Sequence, residues 1–225
     1  MKQYRVLIVE DEPLTCNVYQ LILQELSEDS KELRFDSDVY HNFEPALTAI
    51  ETSATGHQWY ALAILDLRLV SIDGDTAMYG KELGISLRRY SPETKIVIIT
   101  SIKDNYCFYT LLRNINPEGF LIKGEMDFVL LKSYLHAILE NNTAYSKTVV
   151  DFLRSEVCLG LPIDQIDRSI LYYLSKGEKI KDLPNFLPLS LSGIEKRKKR
   201  LAELLDLNSN DVFSLIAAAK ERGLL

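Results

Sequence analysis

The chain has 225 residues, 47% of them hydrophobic, and a formal net charge of −6 at pH 7. This length fits one large domain or two small ones, with enough apolar content for packed cores. The sequence shows no signal peptide and no apolar stretch long enough to span a bilayer. These absences argue against a membrane protein, and we expect a soluble protein of the cytoplasm.

Charge is unevenly distributed along the chain. Residues 1–142 carry a net charge of −8, whereas residues 143–225 carry +2. An acidic front half and a mildly basic back half predict two domains with different partners.

The cysteines and histidines are scattered, three of each. Neither set has the spacing of a zinc site. We expect Cys16, Cys107 and Cys158 to be buried packing residues in a reducing compartment.

Apolar strand-like runs alternate with helical patterns through the first 140 residues. Strands are predicted at 5–9, 33–40, 61–66, 95–100 and 119–122, the second being the weakest. Helices are predicted between and after them at about 14–26, 43–52, 80–89, 104–115 and 127–140. The alternation predicts a doubly wound α/β fold with a five-stranded parallel sheet covered on both faces.

After residue 142 the alternation stops. The polar stretch NNTAYS and a short amphipathic helix at about 146–156 predict a linker over 143–160. Only helical patterns follow, so residues 161–225 predict a second, small all-α domain. Asp164 and Asp167 are a plausible N-cap arrangement for its first helix, and Ser190 or Ser192 caps the helix that contains EKRKKR.

Polar side chains follow or close four of the predicted strands, and in a parallel sheet these ends meet at one edge. The residues are Glu10, Asp11, Asp66, Thr100 and Lys123. The acids after the first strand could instead start the next helix, whose dipole favours negative charge. That alternative accounts for Glu12 but does not require acids at the end of the strand itself.

These residue types indicate a specific chemistry. Three carboxylates suit Mg²⁺, which prefers oxygen ligands and also takes phosphate oxygens. A carboxylate in such a cluster can attack phosphorus and form an aspartyl phosphate. A lysine and a threonine hydroxyl would then stabilise the phosphoryl oxygens.

The first 140 residues resemble the receiver domain of bacterial two-component response regulators. The matching motifs are VEDE, AILDLRLVSIDG, VIITS and GFLIKG, and the spacing of Gly74 from Asp66 fits the family's loop. The resemblance implies the flavodoxin-like strand order 2-1-3-4-5. Two departures concern loops: Gly124 replaces the usual proline after the lysine, and Leu69-Val70 replaces a common Met-Pro.

The resemblance also implies roles for the polar residues. Asp66 is the phosphoacceptor, and Mg²⁺ is held by Glu10, Asp11, Asp66 and the backbone carbonyl of Arg68. Thr100 and Lys123 contact the phosphoryl group. Phe120 matches the family's switch aromatic, with a core aromatic residue as the less favoured alternative.

The basic helix of the second domain has one apolar and one polar face when projected at 100° per residue. Its candidate DNA-binding residues are Ser192, Glu195, Lys196, Lys198, Lys199 and Arg200. A cationic face suits the DNA major groove. A solvated charged helix is the alternative, and the run KRKKR alone would favour it.

Residues 170–207 resemble, without a gap, the LuxR/NarL-type helix-turn-helix. Counterparts of its motif positions include Gly177, Leu187 and Ser190. The base-reading positions diverge, since the family's Thr-Val-Lys-x-His reads Gly-Ile-Glu-Lys-Arg at 193–197. The connection after Leu207 is about two residues longer than in the family.

Together the resemblances imply a response regulator with a receiver domain (1–142), a linker with a short helix (143–160) and a helix-turn-helix DNA-binding domain (161–225). The implied partners are a sensor histidine kinase, double-stranded DNA and a second copy of the chain when phosphorylated or DNA-bound. Helix 211–222 is a candidate dimer contact, with core packing as an equal alternative. No turnover enzyme is expected beyond self-phosphorylation.

Two other functional classes were considered. A haloacid-dehalogenase-type phosphatase would need a second aspartate two residues after Asp66, where this chain has Arg68. A phosphorylation-independent regulator, or a protein-binding adaptor with a degenerate helix-turn-helix, is the stronger alternative. Gly193 and Glu195 support it.

Overall fold

The computed structural model describes residues 2–30, 32–72 and 76–225. Gly74, whose spacing supports the resemblance, lies outside the described residues. The chain divides into two compact units, and each is described by itself. The first comprises Met1–Ile102 with Leu111–Val149, and the second comprises Lys103–Thr110 with Val150–Leu225.

The strands of the first unit are β1 (Lys2–Val9), β2 (Leu33–Tyr40), β3 (Leu62–Leu65), β4 (Leu69–Val70), β5 (Thr76–Ala77), β6 (Lys95–Thr100), β7 (Gly119–Ile122) and β8 (Ala144–Tyr145). The main sheet is parallel in the order β2-β1-β3-β6-β7-β8, while β4 and β5 form a separate antiparallel ribbon. The first five strands of the main sheet confirm the expected 2-1-3-4-5 order.

The main sheet contains six strands among the described residues, not the five predicted. The additional strand β8 pairs with β7 through Gly119↔Ala144 and Phe120↔Tyr145. It is only two residues long and lies in the polar stretch NNTAYS. A segment this short cannot show the two-residue alternation by which strands are recognised in sequence.

The helices that follow these strands are α1 (Pro13–Asp29), α2 (Phe43–Thr55), α3 (Tyr79–Tyr90), α4 (Asn105–Asn114), α5 (Phe128–Leu139) and α6 (Lys147–Leu159). They confirm the predicted alternation. In the described part of the chain, no helix combines the length and the apolar character needed to cross a membrane.

The central strand β1 is buried on both faces, as its apolar run predicts, with Val6–Val9 fully inaccessible. Successive side chains of a strand point to opposite faces. Val6 and Ile8 pack in one core cluster with residues of α1 and α5. Leu7 and Val9 face the other side of the sheet. Covering both faces keeps the strand away from water and fixes its register.

The second unit contains the end of α6 and the helices α7 (Gln165–Ser175), α8 (Leu191–Leu204) and α9 (Val212–Glu221), with a 3-10 turn at Ile180–Asn185. Leu171, Ile194 and Leu201 are fully buried in its core. Asp164 and Asp167 form the expected N-cap arrangement as a capping box. Of the two predicted caps of α8, Ser190 is used: its hydroxyl accepts from the backbone N–H of Gly193 at 3.3 Å.

Residues Lys103–Thr110 belong to the second unit, which nothing in the sequence indicated. Tyr106 stacks on Tyr172 of α7 with ring centroids 4.2 Å apart. Its hydroxyl lies 3.0 Å from the Ser169 hydroxyl. These contacts join residues more than 60 positions apart in the sequence.

One expectation about side chains needs correction, and one alternative left open by the sequence is decided for two residues. Cys16 and Cys107 are buried as predicted, but Cys158 is exposed. The inward face of α6 carries Val149 and Phe152, and Cys158 is off that stripe. In α9, Leu215 and Ala219 are fully buried in the core of the second unit, so these two residues of the predicted dimer contact are core residues.

Candidate functional site

The register of the main sheet brings the predicted acidic residues to one edge. Val9 at the end of β1 pairs with Leu65 at the end of β3, so Glu10 and Asp66 both follow directly. The backbone N–H of Asp66 donates to the carbonyl of Val9 at 2.9 Å. On the other side, Thr100 ends β6 and pairs with Ile122, the residue before Lys123.

Lys123 connects the two strand-end acids. Its ammonium nitrogen lies 2.6 Å from Oδ2 of Asp66 and 2.8 Å from Oε2 of Glu10. The Glu10 side chain is fully buried, and those of Asp66 and Lys123 are 8% and 23% exposed. A buried charge is tolerated when it is paired and hydrogen-bonded, and this lysine satisfies both acids.

The surroundings of Glu10 oppose its ionisation. Burial raises the pKa of Glu10, the hydrogen bond from Lys123 lowers it, and the negative charge of Asp66 raises it, so that the net pKa is about 7. The Tyr19 hydroxyl donates to Oε2 of Glu10 at 3.3 Å, and burial raises the pKa of this tyrosine. Burial lowers the pKa of Lys123, but its hydrogen bonds to Asp66 and Glu10 raise it overall.

The acidic cluster fits a divalent cation. Carboxylate oxygens of Glu10, Asp11 and Asp66 all lie within 4.8 Å of one another. Glu10 and Asp66 are buried, while Asp11 is exposed. An all-oxygen donor set with one side open to solvent suits Mg²⁺, which keeps several of its waters. The residues present therefore fit the cation that the sequence implies.

The remaining predicted residues of this site have identified neighbours. The backbone N–H of Arg68 donates to Oδ1 of Asp66 at 3.1 Å, and the role of its carbonyl as a metal ligand stays a prediction. Thr100 is 1% exposed, and its hydroxyl accepts from the backbone N–H of Ile102 at 3.1 Å. Phe120 is fully buried in β7, so the structure places it in the core, and its switch role stays a prediction.

The basic helix α8 forms one wall of a concave surface of about 460 Å³ in the second unit. Five of the six predicted DNA-binding residues line it: Ser192, Glu195, Lys196, Lys198 and Lys199. Within the described residues, the three lysines make no ion pair or hydrogen bond, so their charges are available to a ligand.

Comparisons with known proteins place this geometry among response regulators, although no family model matches the chain. The oxygen regulatory protein NreC of Staphylococcus haemolyticus is 24% identical over 199 residues, covering 82% of this chain and 91% of NreC. A second match is RcsB of Salmonella enterica serovar Typhimurium, solved bound to a promoter in the presence of a phosphomimetic. The match covers 100% of both chains, with a TM-score of 0.58 and 16% identity. A LuxR-family two-component response regulator from an Aurantimonas species matches 70% of this chain and 99% of its own with a TM-score of 0.51 at 18% identity.

The chain has the fold of these solved structures: its first unit has the fold of their receiver domain, and its second unit is helical.

The sixth predicted DNA-binding residue, Arg200, differs from the others. The guanidinium of Arg200 lies 3.2 Å from Oδ2 of Asp167 and donates to the carbonyl of Pro162 at 2.7 Å. Arg197, its neighbour on α8, lies 2.7 Å from Asp164 and 2.8 Å from Asp167. Both arginines therefore hold α8 against the start of α7. Arg200 would have to contact a DNA phosphate while it keeps this structural role.

Asn210 also lines the concave surface of the second unit, and the sequence patterns did not identify it. The turn before α9 holds it in place: Asp211 accepts from the Ser209 hydroxyl at 2.6 Å and from the backbone N–H of Ser214 at 2.8 Å. The signal that could have found Asn210 is the longer connection after Leu207, because added residues beside a recognition helix can enter the same groove.

Proposed function

We propose that this two-component transcription regulator is switched by phosphorylation of Asp66. The observation that carries the proposal is that carboxylate oxygens of Glu10, Asp11 and Asp66 lie within 4.8 Å of one another, while the Lys123 ammonium contacts two of these acids, Glu10 and Asp66. A carboxylate oxygen of Asp66 would attack the phosphorus of a phosphodonor, forming the new P–O bond as the bond to the donor breaks. The donor would be a phosphorylated sensor histidine kinase or a small acyl phosphate.

Each neighbouring residue has a distinct part in this step. Glu10 and Asp11, with Asp66 and the Arg68 carbonyl, would hold Mg²⁺, which supplies positive charge to the phosphoryl oxygens. Lys123 already contacts Asp66 and would pair with a phosphoryl oxygen. Thr100 would turn its hydroxyl from its present bond with the Ile102 N–H to donate to the phosphoryl group.

The added charge is the basis of the switch. A phosphoryl group brings a charge of about −1.5 to −2 at neutral pH, enough to reorganise Thr100 and Lys123 and to shift a two-state equilibrium. The chain would accept one phosphoryl group and then lose it. It would therefore act as a regulator and not as an enzyme with many turnovers.

The output we propose is DNA binding in the cytoplasm by α8, with a second copy of the chain. Ser192, Glu195, Lys196, Lys198 and Lys199 would face the duplex, joined by Arg200 at its edge. The RcsB neighbours support this proposal, since one is described as bound to a promoter and another as two dimers bound to two parallel DNAs. A helix with free ammonium groups on one face suits contacts to phosphates and base edges.

Phosphorylation can be tested by intact-mass measurement after incubation with Mg²⁺ and acetyl phosphate. The parent chain should gain one phosphoryl group, and Asp66→Asn should gain none. Asp36→Asn is the matched control, because Asp36 is an exposed acid on β2 and should leave the gain unchanged. A parent chain that stays unmodified under these conditions would contradict the proposal.

A further inference from the structure

A second cavity lies at the opposite edge of the receiver sheet from the acidic site. It has a volume of about 510 Å³. Its walls include Tyr4 of β1, Ala61 just before β3, Lys95 at the start of β6, Tyr90 at the end of α3 and Leu139 at the end of α5. These are the amino-terminal ends of strands, whereas Glu10, Asp66 and Lys123 follow carboxyl-terminal ends. The cavity is therefore separate from the proposed phosphorylation site.

Four aromatic rings dominate this cavity, which we name the aromatic pocket: Tyr4, Trp59, Tyr60 and Tyr90. Trp59 is the one tryptophan of the chain. Its side chain is 45% exposed, which is unusual for so large an apolar group. Small-molecule sites are typically concave, mostly apolar and roughly 300–1,000 Å³ in volume. The aromatic pocket meets all three criteria.

Two hydroxyl groups in the wall of the pocket already have protein partners. The Tyr60 hydroxyl donates to Asp38 at 2.8 Å. The Ser91 hydroxyl lies 2.7 Å from that of Thr94. These two hydroxyls are therefore satisfied within the protein, and the wall offers a ligand mainly apolar ring surface.

The charges at the pocket favour an uncharged ligand. The ammonium group of Lys95 donates to the carbonyls of Ile138 and Leu139 at 2.6 and 2.9 Å, at the carboxyl-terminal end of α5. The carboxylate of Glu93 lies exposed in the wall, so the formal charges of the two lining residues cancel. The ends of α3 and α5 carry partial negative charge, which disfavours an anion. A cation would meet the Lys95 ammonium.

We infer that the aromatic pocket binds an uncharged, planar aromatic small molecule, held by stacking against the rings of Tyr4, Trp59 and Tyr90. Aromatic pairs gain energy from offset-stacked and edge-to-face arrangements beyond the area they bury. The inference does not depend on phosphorylation of Asp66, because it concerns the other edge of the sheet.

The single tryptophan provides a direct test. In a ¹⁵N-labelled full-length chain, Trp59 gives the only indole N–H signal, so a ligand in the pocket should shift that signal in a saturable way. The probe is quinoline, an uncharged two-ring heterocycle. N-methylquinolinium and quinoline-2-carboxylate have the same rings with a fixed positive or negative charge. We expect each charged analogue to bind at least about tenfold more weakly, because burying a charge without a partner is unfavourable.

Variants connect the shift to the pocket. Tyr90→Ala removes one ring of the wall and should weaken quinoline binding about tenfold, whereas Phe213→Ala, which removes an exposed ring in the second unit, should not change it. Ala61→Leu should also weaken binding by filling the cavity, which keeps the test informative if Tyr90→Ala fails to fold. The inference is overturned if quinoline causes no saturable shift, if Ala61→Leu binds it like the parent, or if a charged analogue binds more tightly. A protein partner that crosslinks at Trp59, with no quinoline binding, would reassign the pocket to a protein interface.

Discussion

The ammonium nitrogen of Lys123 lies 2.6 Å from Oδ2 of Asp66, so the proposed phosphoacceptor has an internal counter-ion before any phosphodonor arrives. The same nitrogen contacts both carboxylate oxygens of Glu10, at 2.9 and 2.8 Å. Two acids with little solvent contact thus share one positive charge. The arrangement stabilises the folded unit and also places the lysine where a phosphoryl group would form.

Removing this lysine should destabilise the receiver. In Lys123→Met, Glu10 and Asp66 lose their common partner, and one of them must take up a proton or remain uncompensated. We expect the free energy of unfolding to fall by roughly 2–3 kcal/mol, less than for a fully buried pair, because Lys123 retains some solvent contact. Urea denaturation followed by circular dichroism measures the change.

Lys132→Met is the matched control for that prediction. Lys132 contacts Glu25 and Asp29 at 2.7 and 2.8 Å, but these acids are 39% and 65% exposed. Solvent screens such surface pairs, so this variant should unfold at the same urea concentration as the parent. If Lys123→Met also unfolds at the same urea concentration as the parent, Glu10 and Asp66 do not need Lys123 as a stabilising partner.

Mg²⁺ should stabilise the parent chain through the exposed acid of the cluster. At ten times its dissociation constant, a ligand that binds only the folded state adds about 1.4 kcal/mol. Asp11→Asn should lose most of this gain. Without Mg²⁺ its stability should stay within about 0.5 kcal/mol of the parent, since Asp11 is at the surface. Equal Mg²⁺ stabilisation of the parent and Asp11→Asn would exclude Asp11 as a ligand.

The acidic site could be predicted from the sequence because its geometry follows from strand ends. The apolar runs fix which residues are strands, and parallel pairing then aligns Glu10, Asp66 and Lys123 at one edge. The metal-ligand and phosphoacceptor roles came from the family resemblance.

The parts that the sequence could not predict depend on contacts between distant segments. Arg197 and Arg200 belong to the same run of positive charges as Lys199, and only the packing of α8 against α7 distinguishes them. Strand β8 is too short for a periodic pattern. The aromatic pocket arises from the ends of several elements, each of which contributes one or two residues.

The arginines of α8 should affect stability more than the lysines do. Arg197→Ala removes ion pairs to Asp164 and to the fully buried carboxylate of Asp167. We expect a loss of roughly 1–3 kcal/mol, because the buried carboxylate of Asp167 then keeps, among the described residues, only Arg200 as a charged partner. Lys199→Ala should leave the free energy of unfolding unchanged. Urea denaturation compares the two variants. Equal stability of the two would contradict a stabilising role for the Arg197 ion pairs.

Acid should weaken the start of α7. Burial raises the pKa of Asp164, but the backbone N–H of Asp167 and the guanidinium of Arg197 lower it more, so the net pKa is below its usual value of 3.8. A carboxyl group with a lowered pKa stabilises the fold above its unfolded pKa, and this stabilisation is lost as the pH falls through the folded pKa. Stability of the parent should therefore decline below about pH 4. Asp164→Asn keeps a good N-cap without the charge, so its stability should decline less than that of the parent. Thermal unfolding measured from pH 5 to 3 makes the comparison.

DNA binding by the basic helix should depend steeply on salt, because lysines that neutralise phosphates release counter-ions. Each phosphate contact contributes a slope of roughly 0.9 in the plot of log affinity against log salt concentration. Lys198→Ala should weaken all sequences about equally and flatten the slope by about that amount. Lys196→Ala should cost about 1–3 kcal/mol at particular base pairs. Gel shifts of phosphorylated protein on genomic fragments, at several salt concentrations, measure both effects.

Two polar residues on the same concave surface should control selectivity instead. Glu195 can accept from a cytosine amino group, and Asn210 can pair with the edge of an adenine. Glu195→Ala should therefore relax base preference while raising non-specific affinity, because it removes a negative charge among lysines. Asn210→Ala should relax base preference without raising non-specific affinity. Asn208→Ala, in the same turn, is its control. If all of these α8 variants bind every duplex like the parent, the basic helix does not read DNA, and the adaptor function becomes the better explanation of its charge.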